Sequence, residues 1–143
     1  MDIARIVEFC INNWMLISTF IALLASLIVI ESRRSGLVIS PQQAVRFINK
    51  ENAAVLDLRE ASEFITGHIT GAINMPFVQL KAGEHQKAIE KLKGKAVILV
   101  CKMGQHSSVA GNLLKAAGVS SVYRLEGGLQ SWLGEKLPLV KGK

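Results

Sequence analysis

The stretch Cys101-Lys102-Met103-Gly104-Gln105-His106-Ser107 sets a thiol between an apolar run, Ala96 to Val100, and a helical pattern. A strand ending on a cysteine, a short turn and a helix start would place the sulfur over unpaired backbone N–H groups and the positive end of a helix dipole. Such surroundings, with Lys102 adjacent, favour an anionic sulfur, which is the nucleophilic form. A cysteine after a buried strand is by itself commonly a small core hydrophobe; here the loop that follows it points to chemistry. Cys101 is therefore the candidate nucleophile, and Lys102, Met103, Gly104, Gln105, His106 and Ser107 form the candidate substrate-binding loop. Gly104 would let that loop turn with positive φ. Ser107 would either hydrogen-bond the sulfur or cap the helix. The sequence has no paired metal-ligand spacing, so neither a metal nor a cofactor is expected.

Alternating strand-length and helical patterns must position this loop. Leu37 to Ile39 reads as a short strand, and Ser40-Pro41 as a cap with proline in the first turn of a helix to about Glu51, with Ala44, Val45 and Ile48 inward. Ala53 to Leu58 is a buried strand, Ala61 to Ile65 a short helix, and Ala72 to Asn74 a third strand stopped by Pro76. A Lys-rich helix, Glu84 to Leu92, leads to the Ala96 to Val100 strand. Ser107 to Ala117 is a helix closed by Gly118, Val122 to Leu125 a last strand, and Gly127-Gly128 a turn into a helix holding Trp132. Such alternation predicts an α/β fold, a parallel sheet flanked by helices on both faces. Ligands in such sheets bind at the carboxyl ends of the strands, where Cys101 falls.

Ahead of this domain, Phe9 to Ile30 is 22 residues without a charge. At about 1.5 Å per residue it matches a bilayer core of about 30 Å. It reads as one transmembrane helix, with Trp14 as an interfacial anchor. A cleaved signal peptide is disfavoured, because Asp2 and Glu8 oppose Arg5, the apolar stretch is long and no Ala-x-Ala site follows. The expected organisation is a short N-terminal segment over 1–8, the membrane helix over 9–30, a linker over 31–36 and a folded domain over 37–143. Arg33 and Arg34 follow the helix while Arg5 alone precedes it, which predicts a cytoplasmic domain. Cys10 and Cys101 then lie in different compartments and cannot pair, and a lone thiol in the reducing cytoplasm suits a nucleophile. Ser18, Ala22 and Ser26 recur every four residues, a small-residue stripe suited to contact with a membrane protein or a second copy.

Of the net charge of +6, all lies within residues 36–143, since residues 1–35 carry three cations and three anions. A basic domain at a cytoplasmic leaflet is attracted to anionic lipid. Nucleic acid is not an expected partner: Lys81, Lys87, Lys91, Lys93 and Lys95 have no interleaved aromatic residues and read as the solvated face of a helix.

Two further groups of residues carry a family resemblance. The run from Asp57 and Arg59 through Glu63, Phe64, Gly67, His68, Ile69, Gly71, Ala72 and Asn74 to Pro76 resembles the upstream signature of the rhodanese family. Cys101-x-x-Gly104-x-x-Ser107 and the later Leu125-x-Gly127-Gly128-x-x-x-Trp132 are similar to its active-site loop and closing turn. The resemblance covers roughly residues 36–138. It implies a rhodanese-like sheet and a sulfurtransferase in which Cys101 takes a sulfane sulfur from a donor, becomes a persulfide and passes the sulfur to a thiol or other acceptor. With the preceding helix it implies a single-pass protein of the bacterial inner membrane. Family loops usually carry arginine where this chain has His106, so a permanent cation suited to a sulfonate is replaced by an imidazole whose charge depends on pH. That substitution puts thiosulfate in doubt as the donor.

Bland roles are expected for the upstream polar residues. Asp57, Arg59 and Glu63 read as a structural charge network, His68 as a hydrogen-bonded brace, and His85 as a polar-loop residue. A cysteine phosphatase would need arginine at position 107, which is serine. A non-catalytic interaction module at the membrane is the alternative to an enzyme, and a persulfide on Cys101 separates the two.

Overall fold

A computed structural model describes residues 3–142, with the backbone alone for residues 32–34. Met1, Asp2 and Lys143, at the ends of the first and last expected segments, lie outside the described residues. The chain separates into two compact units, residues 1–33 and 34–143.

The first unit is helical. Helix α1 (Ile3–Asn12) and helix α2 (Trp14–Ser35) are divided by a turn at Asn13, whose side-chain amide donates to the Phe9 carbonyl at 3.0 Å. Within α2, Trp14–Glu31 is long and apolar enough to cross a membrane, and none of it is buried. Residues 9–12 of the expected 9–30 span are helical in α1, and the rest of it follows the turn at Asn13 in α2. Helical backbone also runs on to Ser35, where a linker was expected over 31–36. The hydroxyls of Ser18 and Ser26 donate to the carbonyls of Met15 and Ala22 in their own helix.

The second unit is the expected α/β domain. Its elements in chain order are β1 (Leu37–Ile39), α3 (Pro41–Glu51), β2 (Ala54–Asp57), α4 (Ala61–Thr66), β3 (Ile73–Asn74), α5 (Phe77–Ala82), α6 (Gln86–Leu92), β4 (Ala96–Val100), α7 (Ser107–Ala116), β5 (Ser121–Leu125) and α8 (Gly128–Gly134). The five strands pair in parallel in the order β1-β5-β4-β2-β3. Side chains of the central strand alternate between the two layers. Val97 and Leu99 join a core with Leu80, Leu92 and Leu114, while Ile98 and Val100 join one with Ala44, Leu129 and Trp132. Both faces of β4 are thus covered, which explains why Ala96 to Val100 is apolar throughout.

Local sequence explains the element ends. The Ser40 hydroxyl accepts the Gln43 N–H at 3.3 Å and the Gln43 side chain accepts the Ser40 N–H at 2.9 Å, a capping box ahead of Pro41. The expected Glu84 to Leu92 helix begins instead at Gln86 and is preceded by α5, which the sequence reading missed. Pro76 ends β3 but also opens α5, and Gly83, at φ +81°, closes it. All five lysines of the cluster from Lys81 to Lys95 are exposed, but they do not share one helix face: Lys81 is on α5, Lys87 and Lys91 are on α6, and Lys93 and Lys95 follow it.

A C-terminal strap follows α8. His68 and Val140 exchange backbone hydrogen bonds at 2.9 Å each, and Gly142 donates to Ile65 at 3.0 Å. Trp132 Nε1 donates to the Pro138 carbonyl at 3.1 Å. The strap thereby fastens the far end of α4 and the turn after it.

Candidate active site

The carboxyl ends of β2, β4 and β5 meet at one edge of the sheet. Asp57 pairs in register with Val100, and the Leu58 N–H donates to the Val100 carbonyl at 2.8 Å. Cys101, 3% exposed, follows immediately at the floor of a cleft of about 230 Å³. Leu58, Arg59, Glu60 and Glu63 line one part of it, Phe77 and Val78 another, and Lys102, Met103, Gln105 and His106 the loop side.

The loop curls around the sulfur. Gly104 N–H points at Cys101 Sγ at 2.8 Å, and Ser107 Oγ lies 3.4 Å from it. Gly104 has φ +87°, the left-handed conformation expected of it. Of the two roles open to Ser107, the hydroxyl takes the sulfur; His106 occupies the position before α7 and makes no side-chain cap. Among the described residues, one backbone N–H and one hydroxyl reach the sulfur, fewer donors than a full ring of loop amides. Donors fixed in this way stabilise negative charge on a thiolate or on a sulfur attached to it.

The Gly127-Gly128 turn fixes the loop from behind, a role that sequence reasoning did not assign to it. Leu129 N–H donates to the Cys101 carbonyl at 2.8 Å and Gln130 N–H to the Lys102 carbonyl at 3.3 Å. Gly128 has φ +60°, and a Cβ there would press into the Cys101 carbonyl while lying 2.9 Å from Gly104 N.

The upstream charges form a brace. Arg59 grips Asp57 through Nη2 at 2.6 Å and Nε at 3.0 Å, and its Nη2 also donates to the Gly67 carbonyl at 2.7 Å. Asp57 is 1% exposed and Arg59 9%. Asp57 also accepts the Arg59 backbone N–H at 3.0 Å, so the pair is locally closed. Glu63 joins through its carbonyl, 3.4 Å from Arg59 Nη1, while its carboxylate lies 3.6 Å from Lys102 Nζ in the loop. His68 is buried, bonded through Nδ1 to the Phe64 carbonyl at 2.8 Å and stacked on the Phe64 ring, as a brace would be. His85 meets Gln79 at 3.0 Å, away from the cleft lining.

His106 stacks face to face on Phe77, with ring centroids 4.6 Å apart and planes 4° from parallel. Both rings line the cleft, so Phe77 holds the imidazole in the same cleft as Cys101. No sequence signal marked Phe77, because the contact depends on α5. Among the described residues no cluster of side chains is suited to hold a metal.

Residues 40–135 match the family described as Rhodanese-like domain. The chain belongs to this family. The likeness of the whole chain is to the Escherichia coli (strain K12) protein YibN, 40% identical over 142 residues, which cover 97% of this chain and 99% of YibN. The rhodanese-like domain is also similar to the thiosulfate sulfurtransferase GlpE of Pseudomonas putida (strain GB-1), 32% identical over 98 residues, covering 66% of this chain and 82% of GlpE. The crystal structure of a rhodanese-related protein from Thermoplasma volcanium superimposes with a TM-score of 0.64 at 33% identity, over 73% of this chain and 97% of that one. Family membership accords with the sheet order and with the cysteine at the end of β4.

Proposed function

We propose that the protein is a membrane-anchored sulfurtransferase that carries sulfane sulfur as a persulfide on Cys101. The observation that carries the reading is the pair of donors, Gly104 N–H and Ser107 Oγ, aimed at a sulfur on the floor of an open cleft. In the first half-reaction the Cys101 thiolate attacks the sulfane sulfur of the donor, the donor's sulfur bond breaks, and its remainder leaves with the electron pair. The attached sulfur is then passed to an acceptor thiol. Lys102 to Ser107 form the binding loop, the Gly104 N–H and the Ser107 hydroxyl meeting the charge that develops on sulfur. The likeness to GlpE supports the reaction class.

Incubating the full detergent-solubilised chain with a sulfane donor, and weighing its peptides, is expected to find one added sulfur on Cys101 and none on Cys10. Sulfur on Cys10 alone would refute the assignment.

Anchoring is through α2, which supplies the length and apolarity of a single span. Arg33 and Arg34 against Arg5 favour a domain in the cytoplasm, hence a place at the bacterial inner membrane. Ser18, Ala22 and Ser26 are proposed to meet another membrane helix through close packing, since the two hydroxyls are bonded within α2. Leucine at all three positions is expected to reduce crosslinked adducts in membranes, and an unchanged pattern would remove that contact.

His106 bears on the donor. Arginine in its place would be a permanent cation and would still stack on Phe77. His106→Arg is expected to raise kcat/KM for thiosulfate about tenfold at pH 8, the effect of regaining one charge-assisted hydrogen bond of roughly 1.5 kcal/mol. Equal values in steady-state assays would mean that position 106 does not touch the anion.

A further inference from the structure

The mouth of the Cys101 cleft has two properties that the sulfur chemistry does not use. Val78 and Met103 both line it, yet they are 67% and 56% exposed. Two large apolar side chains at the rim of one opening contribute little to holding an inorganic sulfonate, and they gain from being covered. The second property is charge. Arg59 and Lys102 line the cleft, but Arg59 is held by the Asp57 carboxylate and Lys102 lies 3.6 Å from Glu63. Glu60, exposed at the start of α4, has no ion-pair partner among the described residues. In a chain of net charge +6, Glu60 is thus the one charged residue of the cleft lining without an ion-pair partner among the described residues.

We infer that this rim docks a protein thiol, the acceptor of the Cys101 sulfur, presented on a segment with an apolar residue and a lysine or arginine beside its cysteine. The inference rests on the sulfurtransferase reading above and adds the acceptor class. The apolar residue covers Val78 and Met103, and the cation faces Glu60. Charge complementarity of this kind selects against acidic segments as well as for basic ones. The step is balanced without a further reactant. The acceptor thiolate attacks the outer sulfur of the protonated Cys101 persulfide, a new sulfur–sulfur bond forms on the acceptor as the Cys101 bond to that sulfur breaks, and Cys101 leaves as the thiolate. The proton stays on the transferred sulfur, and the acceptor has lost its own proton to water beforehand.

Three fluorescent peptides test the surface apart from the chemistry. One carries a basic and an apolar flank, one an acidic and an apolar flank, and one a basic and a polar flank, each with serine in place of cysteine. Bound to the full chain in zwitterionic lipid nanodiscs, the first is expected to bind about tenfold more tightly than either other, its advantage over the acidic peptide shrinking as salt is added. Glu60→Gln should erase the charge preference and keep the apolar one, and Val78→Ser/Met103→Ser should do the reverse. With cysteine restored, transfer from Cys101 persulfide should follow the same order. Equal binding of all three peptides would overturn the inference, as would preferences that neither variant alters. Should Cys101 fail to load sulfur while the peptide preferences persist, the sulfurtransferase reading falls and the docking surface stands.

Discussion

Gly128→Ala is expected to abolish sulfur transfer while leaving most of the domain folded. The residue sits at φ +60°, where a side chain costs roughly 1–2 kcal/mol. Its new methyl would collide with the Cys101 carbonyl and crowd Gly104 N, the very amide that points at the sulfur. The collision is with backbone on both sides, so the loop must move. A displacement of about 1 Å in a reacting group can cost about a hundredfold in rate, and kcat/KM should fall by at least that much with any donor. Gly134→Ala, at the other end of α8, is the control, since a Cβ there meets nothing within 4 Å and φ is not positive. That variant should transfer sulfur at the normal rate and be unchanged or slightly more stable in urea. Comparable activity in the two variants would show that the Gly128 turn does not position the loop.

Asp57→Ala should be the most destabilising of the polar substitutions. It leaves the Arg59 guanidinium 9% exposed without its carboxylate and takes away the acceptor of the Arg59 N–H. Breaking a buried pair from one side typically costs about 3–5 kcal/mol, a large share of a total of about 5–15 kcal/mol. Equilibrium urea unfolding of the full chain should record the loss as a lower midpoint. The double change Asp57→Leu/Arg59→Met removes both charges and should recover much of that stability, because no unpaired charge stays buried. A double variant no more stable than Asp57→Ala would mean that the bonds from Arg59 to the Gly67 and Glu63 carbonyls matter more than the pair.

What the sequence disclosed was what repeats locally or punctuates. The apolar run into Cys101, the Ser40-Pro41 start and the Gly127-Gly128 turn are signals within a few residues, and the structure keeps each. Alternating strands and helices likewise predicted a parallel sheet. The strand order is different in kind. It brings Asp57 beside Val100 and the β5 turn beneath the cysteine loop through backbone pairing between segments far apart in sequence. The contacts that depend on it were correspondingly hidden: Phe77 on His106, Glu63 near Lys102, and Gly128 against Cys101. Helix α5 was missed because Pro76 reads equally as the end of one element and the start of the next. The long apolar helix was legible from its lack of charge, whereas the turn at Asn13 and the helical backbone through residues 31–34 carry no comparable signal.

The strap beyond α8 bears on where the folding unit ends. The segment matched to the family stops at residue 135, whereas Val140 and Gly142 hold the backbone of His68 and Ile65. Those amides are shielded only while both segments are in place, so opening the tail and loosening the turn after α4 are one event. In hydrogen exchange the amides of His68, Val140 and Gly142 would share a single opening free energy, and the cooperative unit reaches seven residues past the segment common to the family.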